Sequence, residues 1–175
     1  MTAVQSFDPV SRHDARILVL GSMPGVISLQ QQQYYAHPRN AFWPIMSHLF
    51  GFDADLPYAE RCRFLMDNGV AVWDVLKACK RPGSLDASIV ASTMVVNDFP
   101  AFLLQHPGIG TICFNGATAE KTFLRHARPG FTAQKAEAIR LLRLPSTSPA
   151  HAAMRFEEKL AAWLEAFRQA MPTMW

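Results

Sequence analysis

A chain of 175 residues, 50% hydrophobic and 11% aromatic, falls in the single-domain range and has the apolar content for a sizeable core. It contains no apolar run of the roughly 18 residues that a membrane span needs, and its start, MTAVQSFD, lacks the basic-then-apolar layout of a secretory signal. One soluble, cytoplasmic, monomeric domain over residues 1–175, with no membrane contact, is therefore expected. Cys62, Cys79 and Cys113 are far apart and form no C-x-x-C pair, and the six histidines show no metal-ligand spacing. The thiols read as reduced and mostly buried, and neither a metal nor another cofactor is implied.

In chain order, Arg16 to Leu20 is a short apolar run ending at Gly21 and suits a buried strand. The following stretch, GSMPGVISLQQQQYYAHPRNAFW from Gly21 to Trp43, has no hydrophobic period, and its Gln30 to Gln33 run reads as a tolerated loop insert. Ala41 to Phe50 and Tyr58 to Asp67 read as helices, the second opening after Pro57 and closing near Asn68-Gly69. Val70 to Val75 is a second strand, leading into a turn-rich loop from Cys79 to Asp86. Val96 to Gln105 reads as a helix with Pro100 in its first turn, and Gly110 to Phe114 as a third strand running into Asn115-Gly116. Ala117 to His126 reads as a helix and Ala138 to Leu144 as a fourth strand. Pro145 to Pro149 separates that strand from a last helix, His151 to Ala170, in which Phe156, Leu160, Trp163, Leu164 and Phe167 recur at helical steps and read as core.

Strands alternating with helices predict an α/β fold, a three-layer α/β/α sandwich with a central four-stranded parallel sheet. Ligands of such sheets bind beyond the carboxyl ends of the strands. Four segments would therefore meet at one mouth: Gly21 to Asn40, Asp74 to Asp86, Asn115-Gly116, and Pro145 to His151. Charge is also uneven, with seven basic residues against one acid, Glu137, from Lys121 to Arg155. That run suits either a phosphate-facing surface or a plain solvated face.

GSMPG…YYAHPRNAFW and LPSTSPAH together resemble the motifs of the uracil-DNA glycosylase superfamily. The first segment is similar to that of the mismatch-specific uracil and thymine DNA glycosylases, which carry a G-x-N-P-G loop followed by an A-H-P-x-N-x-F-W element. Two positions depart from the superfamily. Met23 stands where Asp or Asn usually positions the attacking water, and Leu144 where the second motif usually starts with His or Asn. The hypoxanthine, or deoxyinosine, DNA glycosylases share these losses, and the chain resembles them most closely. The resemblance implies a repair enzyme whose partner is DNA containing a deaminated base. It would flip that base, hydrolyse the N-glycosidic bond and leave an abasic site, and no cofactor is expected. The resemblance carries the catalytic asparagine onto Asn40 and the base-recognising asparagine onto Asn115.

Base release through an oxocarbenium-like sugar requires an oriented water and stabilised charge, and the carbonyl of Asn40 can orient that water. An asparagine before Phe42 is equally an ordinary helix cap. Asn115 offers one donor and one acceptor, matching N1–H and O6 of hypoxanthine or N3–H and O4 of uracil. Tyr35 is expected to stack on the flipped base, with Tyr34 or Phe114 as substitutes, while Gly21, Ser22, Pro24 and Gly25 shape the backbone around it. An apolar Leu144 would penalise a purine less than a pyrimidine, or would simply end a buried strand. Ser146, Thr147, Ser148, Pro149 and His151 are expected on the DNA, filling the gap left by the flipped nucleotide. The serines would serve phosphate together with the start of the last helix, or cap that helix. Asp74, Ser84 and Asp86 would line the mouth or brace it. No lysine in the motifs offers a Schiff base, so a lyase step is not expected. Two rivals stay open: a uracil or broad deaminated-base glycosylase, and a non-catalytic damaged-DNA-binding module, the latter because of Met23.

Overall fold

The computed structural model describes residues 2–175. Its centre is a sheet of four strands, β2 (Ile17–Gly21), β3 (Val70–Asp74), β6 (Thr111–Asn115) and β7 (Arg140–Leu144), in the order β3-β2-β6-β7, with every neighbouring pair parallel. β2 and β3 are buried along their whole lengths, as strands covered on both faces must be. Alternate residues face opposite layers. Ile17, Val19, Val70, Val72 and Cys113 pack against α2 (Phe42–Phe50), α3 (Tyr58–Asp67) and α7 (Phe156–Ala170), the side that holds Trp43, Leu65 and Trp163. Leu18, Leu20, Ala71, Trp73 and Ile112 pack against α4 (Phe99–Gln105) and α5 (Ala117–Thr122), which supply Phe99, Phe102 and Ala119. The three-layer α/β/α sandwich is thus as expected, and all three cysteines are buried and free.

Several boundaries differ from the sequence reading. The glutamine run is not a loop insert. A short helix, α1 (Val26–Gln31), absorbs Gln30 and Gln31 and ends at Gln32 with φ 55°. A second sheet also stands at the end of β3, of order β1-β4-β5 and antiparallel, from β1 (Ala3–Gln5), β4 (Leu76–Lys80) and β5 (Val95–Val96). Cys79 and Lys80, expected in a loop, therefore belong to a strand. α4 starts at Phe99 rather than Val96. Asp98 accepts from the Ala101 N–H as its cap, and Pro100 sits in the first turn as expected. α5 continues into a π-helical turn, Phe123–Ala127, and β7 starts at Arg140 rather than Ala138, which closes a short α6 (Ala133–Ala138). α7 begins at Phe156, not His151, because Glu158 accepts the Arg155 N–H and fixes the helix start there. Among the described residues no helix is long and apolar enough to cross a membrane.

Candidate active site

The four predicted segments do meet. A cavity of about 600 Å³ opens beyond the carboxyl ends of the central strands, lined by the chain after β2, after β4, after β6 and after β7. A smaller recess of about 300 Å³ adjoins it, where Asn40, Pro149 and His151 line both and Arg39 and Lys159 line the recess alone.

Asn115 ends β6 at the cavity floor, and its side chain is held at both ends by one residue. Its Oδ1 accepts from the Thr147 backbone N–H at 2.9 Å, and its Nδ2 donates to Thr147 Oγ1 at 2.8 Å. A backbone N–H can only donate, so the amide orientation is fixed. One N–H and one lone pair of Asn115 remain for another partner. The chain turns at Gly116, whose φ of +96° suits glycine, and a Cβ there would lie 3.1 Å from Ser146 Cβ. That close approach lets the 145–151 loop reach Asn115. The loop is tied further by the Ala41 N–H donating to the Thr147 carbonyl at 2.9 Å and by Trp163 Nε1 donating to the Pro145 carbonyl at 3.0 Å.

Asn40 lies just before α2, and its Oδ1 accepts the Phe42 N–H at 2.9 Å. Ala41 is the cap position of α2, so Asn40 holds the first helical N–H from one residue further out, and one lone pair of its oxygen and its amide N–H groups remain available on the cavity that Asn40 lines. Tyr35 has a φ of 56°, unusual for a residue with a side chain. Its ring packs on Phe42 with centroids 4.2 Å apart and also lines the cavity. The tyrosine hydroxyl is buried and makes no hydrogen bond of full geometry among the described residues, and burial, then Asp74, push its pKa up against the nearby Asn115 amide, which pulls it down. Tyr34 is a structural neighbour by comparison, its hydroxyl donating to the Asp8 carbonyl at 2.9 Å.

Gly21 ends β2 opposite Asp74 at the end of β3. A Cβ on Gly21 would fall 2.6 Å from Asp74 Oδ1 and 3.0 Å from the Tyr35 hydroxyl, so glycine makes room for both groups. Asp74 is 3% exposed, and its Oδ2 has no partner among the described residues. Burial, reinforced by Asp86 and opposed by Arg81, pushes its pKa up to about 7. Ser22, Pro24 and Gly25 line the cavity and are braced from the loop after β4. Ser22 Oγ donates to Asp86 Oδ1 at 2.6 Å, the Val26 N–H to Ser84 Oγ at 2.8 Å, and buried Arg81 to the Pro24 carbonyl. Ser84 and Asp86 thus brace the wall, whereas Asp74 belongs to the floor.

Three assignments need correction. Phe114 is fully buried in the core beside Phe123 and does not line the cavity, because the strand period turns it to the opposite side from Asn115. Leu144 also lies in the core rather than on the cavity, so it ends a buried strand and reads no base. Ser146 and Ser148 do not cap the last helix, and that helix lends the loop no N-terminal N–H groups. Their hydroxyls accept the N–H groups of Ser148 and Ala150 within the loop itself, five or more residues ahead of α7. Met23, in turn, joins a small core with Leu76 and Cys79. None of the seven basic residues from Lys121 to Arg155 lines the cavity or the recess. Arg143 pairs with Glu120, and Arg140, at the far end of β7, meets Gln169.

The sequence reading missed Arg81, which nothing local marks as buried, and Leu85, 58% exposed at the cavity wall. An apolar residue in a turn-rich loop at the mouth was the available signal for Leu85.

Residues 7–171 match the Uracil DNA glycosylase superfamily. A hypoxanthine DNA glycosylase of Methanosarcina barkeri is 37% identical over 113 residues, 64% of this chain and 70% of the relative. One of Methanosarcina acetivorans is 37% identical over 116 residues, 66% and 72% of the two chains. A solution NMR structure described as "a putative Uracil DNA glycosylase from Methanosarcina acetivorans" superposes with a TM-score of 0.79 at 30% identity, covering 97% of this chain and 99% of that one. The chain belongs to the uracil DNA glycosylase superfamily and is a DNA glycosylase.

Proposed function

We propose that this glycosylase removes hypoxanthine from deoxyinosine in DNA by hydrolysis alone, leaving an abasic site, and works as a cytoplasmic monomer. The observation that carries the reading is that Asn40, Asn115 and the ring of Tyr35 face one cavity, with the asparagine amides already oriented by Phe42 and Thr147. The relatives named hypoxanthine DNA glycosylase support the same substrate.

In this reading the flipped base stacks on Tyr35 and presents N1–H and O6 to the free lone pair and N–H of Asn115. Adenine carries the opposite pattern and would leave buried groups unpaired, at about 1–3 kcal/mol each. The open side of Asn40 holds the water that attacks C1′ as the sugar becomes cationic. An amide is no strong base, so it orients the water and the departing charge supplies the drive. The cavity lining contains no lysine among the described residues, which supports hydrolysis over a Schiff base.

Base release from duplexes containing single deoxyinosine, deoxyuridine or deoxyxanthosine, followed without strand-cleaving treatment and then with alkali, tests this. Hypoxanthine release with strand breaks appearing only after alkali supports the reading. Faster release of uracil or xanthine would replace the substrate, and binding without release would leave a damage-recognising module.

A further inference from the structure

Two residues that line the cavity, Asp74 and Tyr35, each keep a buried polar atom, Oδ2 and the hydroxyl, without a hydrogen bond of full geometry among the described residues. Asp74 Oδ1, the other oxygen of that carboxyl, and the Tyr35 hydroxyl flank the space above Gly21 that a Cβ would otherwise fill. Along the wall Ser22 is paired with Asp86 and the Val26 N–H with Ser84, while behind it Arg81 keeps one buried guanidinium nitrogen, Nη1, without a partner among the described residues. A carboxyl group left bare on the floor of a binding cavity costs stability unless a ligand completes it.

We infer that Asp74 is a further catalytic residue, a neutral carboxylic acid that donates its proton to a ring nitrogen of the leaving purine. The inference rests on the hypoxanthine reading above. The titratable and charged groups facing Asp74 are Asp86 and Arg81 from the chain after β4, and Tyr34 and Tyr35 from the chain after α1. Both tyrosines stay neutral, Asp86 favours the protonated acid, and Arg81, committed to the carbonyls of Pro24 and Gly83, opposes it. Burial decides the balance, so the acid holds its proton up to about pH 7.

The step balances. The C1′–N9 bond breaks with its electron pair going to the base, and the Asp74 proton moves to N7 or N3, so hypoxanthine leaves neutral. Water adds to C1′, and the proton it loses returns to the Asp74 carboxylate. Both acceptor nitrogens are unprotonated in deoxyinosine, whereas the ring of deoxyuridine has no such nitrogen, so an acid here favours purines.

The experiment is single-turnover hypoxanthine release by wild type and Asp74→Asn from about pH 5.5 to 9, with thermal melting and DNA binding as folding controls. Asparagine keeps the shape but cannot give up a proton. The wild-type rate is expected to be level on the acid side and to fall as pH rises above about 7. Asp74→Asn should be about 100-fold slower at low pH and should lose the pH dependence. Duplexes carrying 7-deaza- or 3-deazadeoxyinosine identify the acceptor, because the variant adds no defect on the analogue lacking it. Wild-type release together with an unchanged rate and profile in Asp74→Asn overturns this inference alone, as does an equal defect on both analogues. No hypoxanthine release by wild type overturns the functional reading and this inference with it.

Discussion

Thr147 grips both ends of the Asn115 amide, donating its backbone N–H to Oδ1 at 2.9 Å and accepting from Nδ2 at 2.8 Å through its hydroxyl. Thr147 is itself 1% exposed and linked through its carbonyl to the Ala41 N–H at 2.9 Å, so one residue joins the ends of β6 and β7 to the start of α2.

Removing only the hydroxyl should therefore loosen Asn115 without dismantling the loop. Thr147→Val is expected to lower stability by about 1–3 kcal/mol and to slow hypoxanthine release at least about tenfold, while Thr147→Ser stays near wild type. Denaturant titration and single-turnover rates on the three proteins check this.

Gly116 is the hinge of the same contact. Gly116→Ala forces a side chain into φ +96° and within 3.1 Å of Ser146 Cβ. A stability loss of about 1–3 kcal/mol is expected in urea, with a matching loss of activity because the displaced Ser146 carries Thr147 with it.

Tyr35 separates its two functions by substitution. Tyr35→Phe removes an unpartnered hydroxyl and keeps the ring on Phe42, so stability should hold or rise. Tyr35→Ala should weaken binding of a flipped base by about 1–3 kcal/mol, the usual value of a lost stacking platform. Binding of duplexes containing a non-cleavable deoxyinosine analogue measures the difference.

Asp74 predicts an inverted pH dependence of stability. Its pKa is raised from 3.8 to about 7 in the folded state, so between those values the folded chain holds a proton that the unfolded chain releases. Stability from this group is full below the unfolded pKa and declines as pH rises toward about 7. The loss is on the order of 4 kcal/mol at most. Asp74→Asn should therefore raise the melting temperature more at pH 8 than at pH 5, and an equal shift at both would show that Asp74 ionises normally.

The sheet and the meeting point of its loops were legible because β2, β3 and β6 are dense apolar runs ending in polar or glycine residues, and the topology of a parallel sheet then sends their carboxyl ends to one side. The small sheet was not. β5 has two residues, β1 has three at the chain start, and the pairing that holds them to β4 is set by distant partners. Asn40, Asn115 and Tyr35 reached the cavity as expected, since motif position and strand end coincide for them. Phe114 did not, because a shift of one residue along a strand reverses the face, and Phe114 precedes Asn115 by one. The state of Asp74 was hidden altogether, since it arises from burial under Gly21 and from neighbours that only folding brings near.

The most direct test of the account is single-turnover release of hypoxanthine from a deoxyinosine duplex by wild type, Asn40→Ala and Asn40→Ser, with DNA binding measured alongside. Serine can still accept the Phe42 N–H at the start of α2, but cannot hold water as the amide does. The account predicts release by wild type and a fall of at least about 100-fold in both variants with binding retained. Wild-type rates in Asn40→Ser would contradict it, reducing Asn40 to a support for the Phe42 N–H and moving the attacking water elsewhere.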